Sequence, residues 1–142
     1  KVMSMSVIRT EQADLLTVLE NGFGKRTQVF KHFKAQNRGG MGVRASRTST
    51  KTGLVIHALV LEDSEKDLVL VSREGQVIRI KVKAVKRLGR DTQGVTLMRL
   101  KSGDKVASVT MVDQSEESTN SAVASPKAQN AAVRKDEQEK KS

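Results

Sequence analysis

Sliding the sequence along itself by about 52 residues lays one half over the other, and this repeat limits the fold more than any other feature. Asp14-Leu15-Leu16-Thr17-Val18 falls on Asp67-Leu68-Val69-Leu70-Val71, and Gly22 on Gly75. Arg38-Gly39-Gly40-Met41-Gly42-Val43 falls on Arg90-Asp91-Thr92-Gln93-Gly94-Val95, and Val55-Ile56-His57-Ala58-Leu59-Val60 on Val106-Ala107-Ser108-Val109-Thr110-Met111. The three offsets are 53, 52 and 51, so the units differ by single-residue loop changes. Val2 stands 53 before Val55. Residues 1–12 are therefore expected to form the last strand of a preceding unit, followed by complete units at 13–61 and 62–113.

Each unit reads as strand, turn, strand, loop, strand, turn, strand. Residues 15–20 and 23–30 flank Asn21-Gly22, a hairpin signal because both residue types tolerate positive φ, and 68–72 and 76–83 flank Glu74-Gly75 in the same way. Residues 41–47 with 54–61, and 93–101 with 105–112 around Ser102-Gly103, are expected as the second hairpins. Nothing in the first 113 residues carries a helical period. The expectation is an all-β, propeller-like fragment of about two four-stranded blades, each covering its neighbour's apolar face. Residues 114–142 are rich in Ser, Ala, Asn, Lys and Glu, with the single proline, Pro126, among them, and read as a disordered tail. A short helix near 130–141 would be marginal.

With three phenylalanines and no tyrosine or tryptophan, the core must be built from Val, Leu, Ile and Met. Cysteine is absent, which excludes disulfides and thiolate chemistry. No segment has the length of a membrane span or the apolar block of a signal peptide, so no membrane partner is expected and a cytoplasmic location is. The start at Lys1 fits a piece of a longer chain. Gly24-Lys25-Arg26-Thr27 lacks the earlier glycine of a phosphate-binding loop, where Leu19 stands. His32 and His57 are isolated, and no Ser or Thr lies in a nucleophile motif, so neither a metal site nor a catalytic residue is expected.

The net charge of +10 lies wholly within residues 1–113, because the tail holds five basic and five acidic residues. Residues 21–61 carry eight Lys and Arg without one Asp or Glu. Such a field concentrates polyanions, and nucleic acid is the natural partner. On the strand expected at 76–83, Arg79, Lys81 and Lys83 alternate with Ile78, Ile80 and Val82. That comb of cations fits either a phosphate backbone or an edge strand guarded against pairing. Lys86, Arg87 and Arg90 extend the positive run, and Lys25, Arg26, Lys31, Lys34, Arg38 and Arg44 supply it in the first unit. In residues 36–44, Gln36, Gly39, Gly40 and Gly42 accompany Arg38 and Arg44. These glycines either let backbone N–H groups approach phosphates or serve turns that need positive φ.

Three ordered motifs, Asn21-Gly22-Phe23-Gly24-Lys25-Arg26-Thr27, Gln36-Asn37-Arg38-Gly39-Gly40-Met41-Gly42 and Gly89-Arg90-Asp91-Thr92-Gln93-Gly94-Val95, resemble the C-terminal domain of the DNA gyrase A protein. The resemblance covers residues 1 to about 113. It implies a six-bladed β-pinwheel that bends duplex DNA around a basic perimeter, this chain supplying the last two blades. It also implies an ATP- and Mg2+-dependent parent topoisomerase that introduces negative supercoils, with no cofactor in this portion. The implied partners are duplex DNA, the remaining blades and catalytic part of the gyrase A protein, and the gyrase B protein in a nucleoid-associated heterotetramer. The family's signature box reads Gln-Arg-Arg-Gly-Gly-Lys-Gly; here Asn37 and Met41 replace two basic residues, so 36–42 resembles a degenerate copy in a later blade. Enzymes of this kind cut DNA with a tyrosine, which this chain lacks, so the cutting step is expected elsewhere in the parent. The corresponding topoisomerase IV protein shares the implied architecture and is the nearest alternative. A small basic RNA-binding β-protein is another, disfavoured by the lack of aromatic residues for stacking on bases.

Overall fold

A computed structural model describes residues 2 and 4–113. The expected tail at 114–142, with its marginal helix, lies outside the described residues. The first unit opens with β1 (Asp14–Leu19), β2 (Phe23–Gln28), a single helical turn α1 (Val29–His32) and β3 (Val55–Leu61). The second contributes β4 (Asp67–Ser72), β5 (Val77–Lys81), a 3-10 turn (Val82–Ala84), β6 (Val95–Thr96) and β7 (Val106–Val112).

Both expected tight hairpins are present. Gly22 and Gly75 have φ of 83° and 86°, each closing a turn by donating its N–H to the carbonyl three residues back, Leu19 and Ser72. β1 and β4 then pair antiparallel on both sides, β1 with β2 and β3, β4 with β5 and β7. The repeat extends to irregularities: the register shifts at Val18/Leu19 in one sheet and at Val71/Ser72 in the other, 53 residues apart.

The all-β architecture of two antiparallel sheets is as expected, but the second hairpins do not form within their own units, so the sheets have four and three strands. Gly103, at φ 84°, does turn the chain, but β6 is two residues long and leaves its own unit. It pairs with β2, Gly24 opposite Val95 and Phe23 opposite Thr96, giving sheets ordered β3-β1-β2-β6 and β5-β4-β7. Val43 occupies the place of Val95 in the repeat, so the same register would send residues 41–47 to a strand one unit earlier. Among the described residues there is no such strand, and 41–47 form none. Residues 4–12, expected as a strand, also lack a ladder.

The exchange of β6 requires close backbone approach. Gly94 has φ 85°, and a β-carbon there would lie 2.6 Å from the Gly24 carbonyl oxygen. The N–H groups of Leu97 and Met98 both donate to Gly22 O. Alternation along β1 and β4 then directs Leu16, Val18, Leu68 and Leu70 into one aliphatic cluster with Leu61, Val82, Val85, Met98, Val106 and Val109. Burying each Leu contributes roughly 2 kcal/mol. The core is shared by both sheets and contains no aromatic residue.

Candidate nucleic-acid interface

The basic residues are sorted by whether their charged ends point inward or outward. Strand β2 presents Lys25 and Arg26 to the second unit, and both are buried. Lys25 Nζ donates to the carbonyls of Gly89, Arg90 and Thr92 at 2.7, 2.6 and 2.9 Å, with Thr92 Oγ1 at 3.0 Å. Burial pushes its pKa down to about 8, against the opposing pull of Asp91. Arg26 donates from Nε to Val85 O at 2.8 Å and from Nη2 to Lys83 O at 3.2 Å, and pairs with Asp14 at 3.3 Å. Burial lowers its pKa while Asp14 opposes the change. The expectation that these two residues face DNA is thus corrected: their cationic ends bind the second unit.

Asp14 also accepts from Arg87 Nε at 2.8 Å. The pair Asp14–Arg26 recurs 53 residues on as Asp67–Arg79, where Arg79 Nε donates to Asp67 Oδ2 at 2.8 Å and Nη2 to Asp113 O at 3.3 Å. Lys83 pairs with Glu65 at 2.9 Å and lies in the 3-10 turn beyond β5. The straight comb of three solvent-facing cations is therefore corrected as well. Arg79 and Lys81 share the exposed face of β5, and only Lys81 of the three lacks an ion-pair partner among the described residues.

The outward-facing charges gather where β2 ends. Residues 86–88 run alongside β2, with Arg26 N–H donating to Lys86 O and Leu88 N–H to Arg26 O. The His32 ring then sits beside Gly89, 3.8 Å from where a β-carbon would be. Lys31 and Lys34 flank His32 in the chain, so their backbone approaches the segment carrying Lys86, Arg87 and Arg90. Lys31, Lys34, Arg38 and Lys86 are exposed and have no side-chain hydrogen bond or ion pair among the described residues.

The glycine-rich stretch is an exposed loop braced from within. Gln36 Oε1 accepts from Gly42 N–H at 3.1 Å, and Gly40 N–H donates to Asn37 O. Gly39 and Gly42 have φ of 84° and 72° with open space around them, so backbone conformation and not crowding selects glycine there. Gln36 thus shapes the loop that holds Arg38 and Met41 outward. Further on, Ser46 Oγ and Arg47 N–H both donate to Thr92 O. That docking brings Arg44 and Arg47, the latter missed in the sequence, to Asp91 at 3.8 and 3.0 Å.

One sequence signal marks an inward cation: Lys25 falls on apolar Ile78 in the repeat. The Asp/Arg spacing of 12 recurs in both units and marks the ion pair, not its burial. Among the described residues no cluster of His, Asp or Glu could hold a metal ion, and no helix is long and apolar enough to cross a membrane.

The family described as DNA gyrase C-terminal domain, beta-propeller, matches residues 13–62 and 66–113. The DNA gyrase A protein of Chlamydia pneumoniae is 40% identical over 116 residues, 82% of this chain and 14% of the relative. That of Rickettsia bellii is 40% identical over 101 residues, 71% of this chain and 11% of the relative. The chain thus spans about a seventh of such relatives or less. Among solved structures, a DNA gyrase A C-terminal domain superimposes with a TM-score of 0.63 at 28% identity, covering 69% of this chain and 33% of that one. A C-terminal domain of DNA topoisomerase IV gives 0.62 at 27%, covering 71% and 30%.

Proposed function

The chain belongs to the DNA gyrase C-terminal domain family, and from that premise we propose that it binds and wraps duplex DNA by its phosphates, without reading base sequence. The observation that carries this reading is the meeting of cations from both units at the end of β2. Lys31, Lys34 and Arg38 come from one unit and Lys86, Arg87 and Arg90 from the next; residues 21–61 and 75–103 hold a single carboxylate, Asp91, and Arg87 is paired with the buried Asp14. Long cationic side chains and exposed loop N–H groups suit phosphate oxygens, which are alike in every sequence. Stacked units would extend the surface as a track along which a stiff duplex bends, its bending cost offset by further phosphate contacts.

In the parent protein, this wrapping would give the DNA crossing the hand needed for negative supercoiling. ATP- and Mg2+-dependent strand passage, and cleavage by a tyrosine, would fall to the rest of the gyrase A protein and to the gyrase B protein in the bacterial cytoplasm. The chlamydial and rickettsial relatives favour gyrase over topoisomerase IV, since both are gyrase A chains.

The test is fluorescence anisotropy with several unrelated duplexes of about 40 base pairs and single-stranded RNA of equal length. Similar affinities among the duplexes, all tighter than for the RNA, support the proposal. A preference for the single strand, or strong discrimination between duplex sequences, would refute it.

A further inference from the structure

Asp91 is an acid in an otherwise basic neighbourhood, and its position is not incidental to the arginines around it. Its Oδ2 lies 3.0 Å from Arg47 Nη2 and its Oδ1 3.8 Å from Arg44 Nη1. Arg90 precedes it in the chain and, with Arg44 and Arg47, holds its carboxyl below the usual range, the Arg47 hydrogen bond acting most strongly. Arg44, Arg47 and Asp91 side chains are 69%, 57% and 60% exposed. Ion pairs so open to water contribute little to stability.

The loop has other fastenings. Ser46 Oγ and Arg47 N–H hold Thr92 O from above at 3.1 and 3.0 Å, and the buried Lys25 ammonium holds Gly89, Arg90 and Thr92 carbonyls from below. The arginines are thus carried on a framework that does not depend on Asp91. Two guanidiniums facing the two oxygens of one anion, on a fixed backbone, is an arrangement equally suited to a phosphodiester.

We propose that Arg44 and Arg47 form a seat for a backbone phosphate of duplex DNA, and that Asp91 is a resident anion which the phosphate must displace. The inference rests on the duplex-binding reading above and adds to it a built-in competitor. The Asp91 carboxylate offsets part of the seat's charge at rest, so bound DNA gains less from these arginines than their number suggests. It also lowers the affinity of the surface for stray polyanions, which a wrapping surface benefits from when it must release DNA in each cycle.

The test compares the full chain with Asp91→Asn, Asp91→Asn combined with Arg44→Gln and Arg47→Gln, and Arg44→Gln/Arg47→Gln alone, on one random 40-base-pair duplex across a salt series. Glu11→Gln, at an exposed acid that forms no ion pair among the described residues, controls for the gain of one charge. Asp91→Asn is expected to bind about 3- to 10-fold tighter near 0.1 M salt, with a log-log slope steeper by about 0.9 for each phosphate gained. The gain disappears when both arginines are also replaced, whereas their removal with Asp91 in place costs 2-fold or less. Equal or weaker binding by Asp91→Asn, a gain that survives loss of both arginines, or an equal gain in Glu11→Gln overturns the seat while leaving duplex binding by the wild type intact. Absence of duplex binding by every protein in the set overturns both readings.

Discussion

Lys25 Nζ lies 2.6 Å from the carbonyl oxygen of Arg90, so a buried cation from the first unit fixes the backbone of a half-buried arginine of the second. The same ammonium binds Gly89 and Thr92. Lys25→Met would fill similar space and leave those carbonyls short of a donor. It is expected to destabilise the fold by about 2 kcal/mol, read by urea denaturation, since each buried polar group left unpaired costs about 1–3 kcal/mol. Retention of full stability would mean that water or a rearranged loop replaces the ammonium.

Titration of the same group has a definite sign. Burial depresses the native pKa to about 8, while the unfolded chain holds this proton to about pH 10.4. Between those values the unfolded state binds more protons than the native one, so this group's contribution to stability rises with pH, and it is flat below about pH 7. An NMR titration of Lys25 Nζ should show a midpoint near 8. Wild-type stability should rise relative to Lys25→Met between pH 7 and pH 9.5. A midpoint above 10 would show that the three carbonyls fully offset the cost of burial.

Asp14 binds both Arg26 and Arg87, and its side chain is nearly inaccessible. Asp14→Ala leaves the buried Arg26 guanidinium without its anion and is expected to cost about 3–5 kcal/mol. Arg87→Gln, at a half-exposed partner, should cost about 1 kcal/mol or less. Equal effects of the two variants in denaturant melts would contradict this division.

Glycines at the two kinds of turn should respond differently. At Gly94 a β-carbon would meet the Gly24 backbone oxygen at 2.6 Å in addition to positive φ, and Gly94→Ala is expected to cost about 2 kcal/mol or more by separating β6 from β2. At Gly39 the space is open, so Gly39→Ala should cost only the backbone term of about 1–2 kcal/mol, confined to an exposed loop. Thermal melts of the pair decide the point.

The hairpins β1–β2 and β4–β5 were legible because a local signal, a turn glycine between alternating apolar residues, specifies them. The path of β6 was not, since Val95 pairs with Gly24, 71 residues away, and nothing local distinguishes that partner from its own neighbour β7. The charge of the interface was equally plain, but its division into inward and outward cations depends on the second unit closing over Lys25 and Arg26. Arg79 shows the contrast: it holds the place of Arg26 in the repeat and stays 42% exposed.

On β5, Lys81→Glu should weaken duplex binding without loss of stability, since Lys81 is exposed. Arg79→Glu should lower stability as well, because Asp67, whose side chain is 11% exposed, would face a like charge. Affinity and denaturation measured together on the two variants separate these roles, and equal stability of both would contradict the assignment of Arg79.

The most direct test is the salt dependence of duplex affinity for the full chain and for a variant with Lys31, Lys34, Arg38 and Lys86 all changed to Gln. A wild-type log-log slope near −4 or steeper, flattened by about 3 to 4 in the variant at about 0.9 per lost contact, is the predicted result. A shallow wild-type slope, or one that the four substitutions leave unchanged, would contradict duplex binding at the junction of the two units.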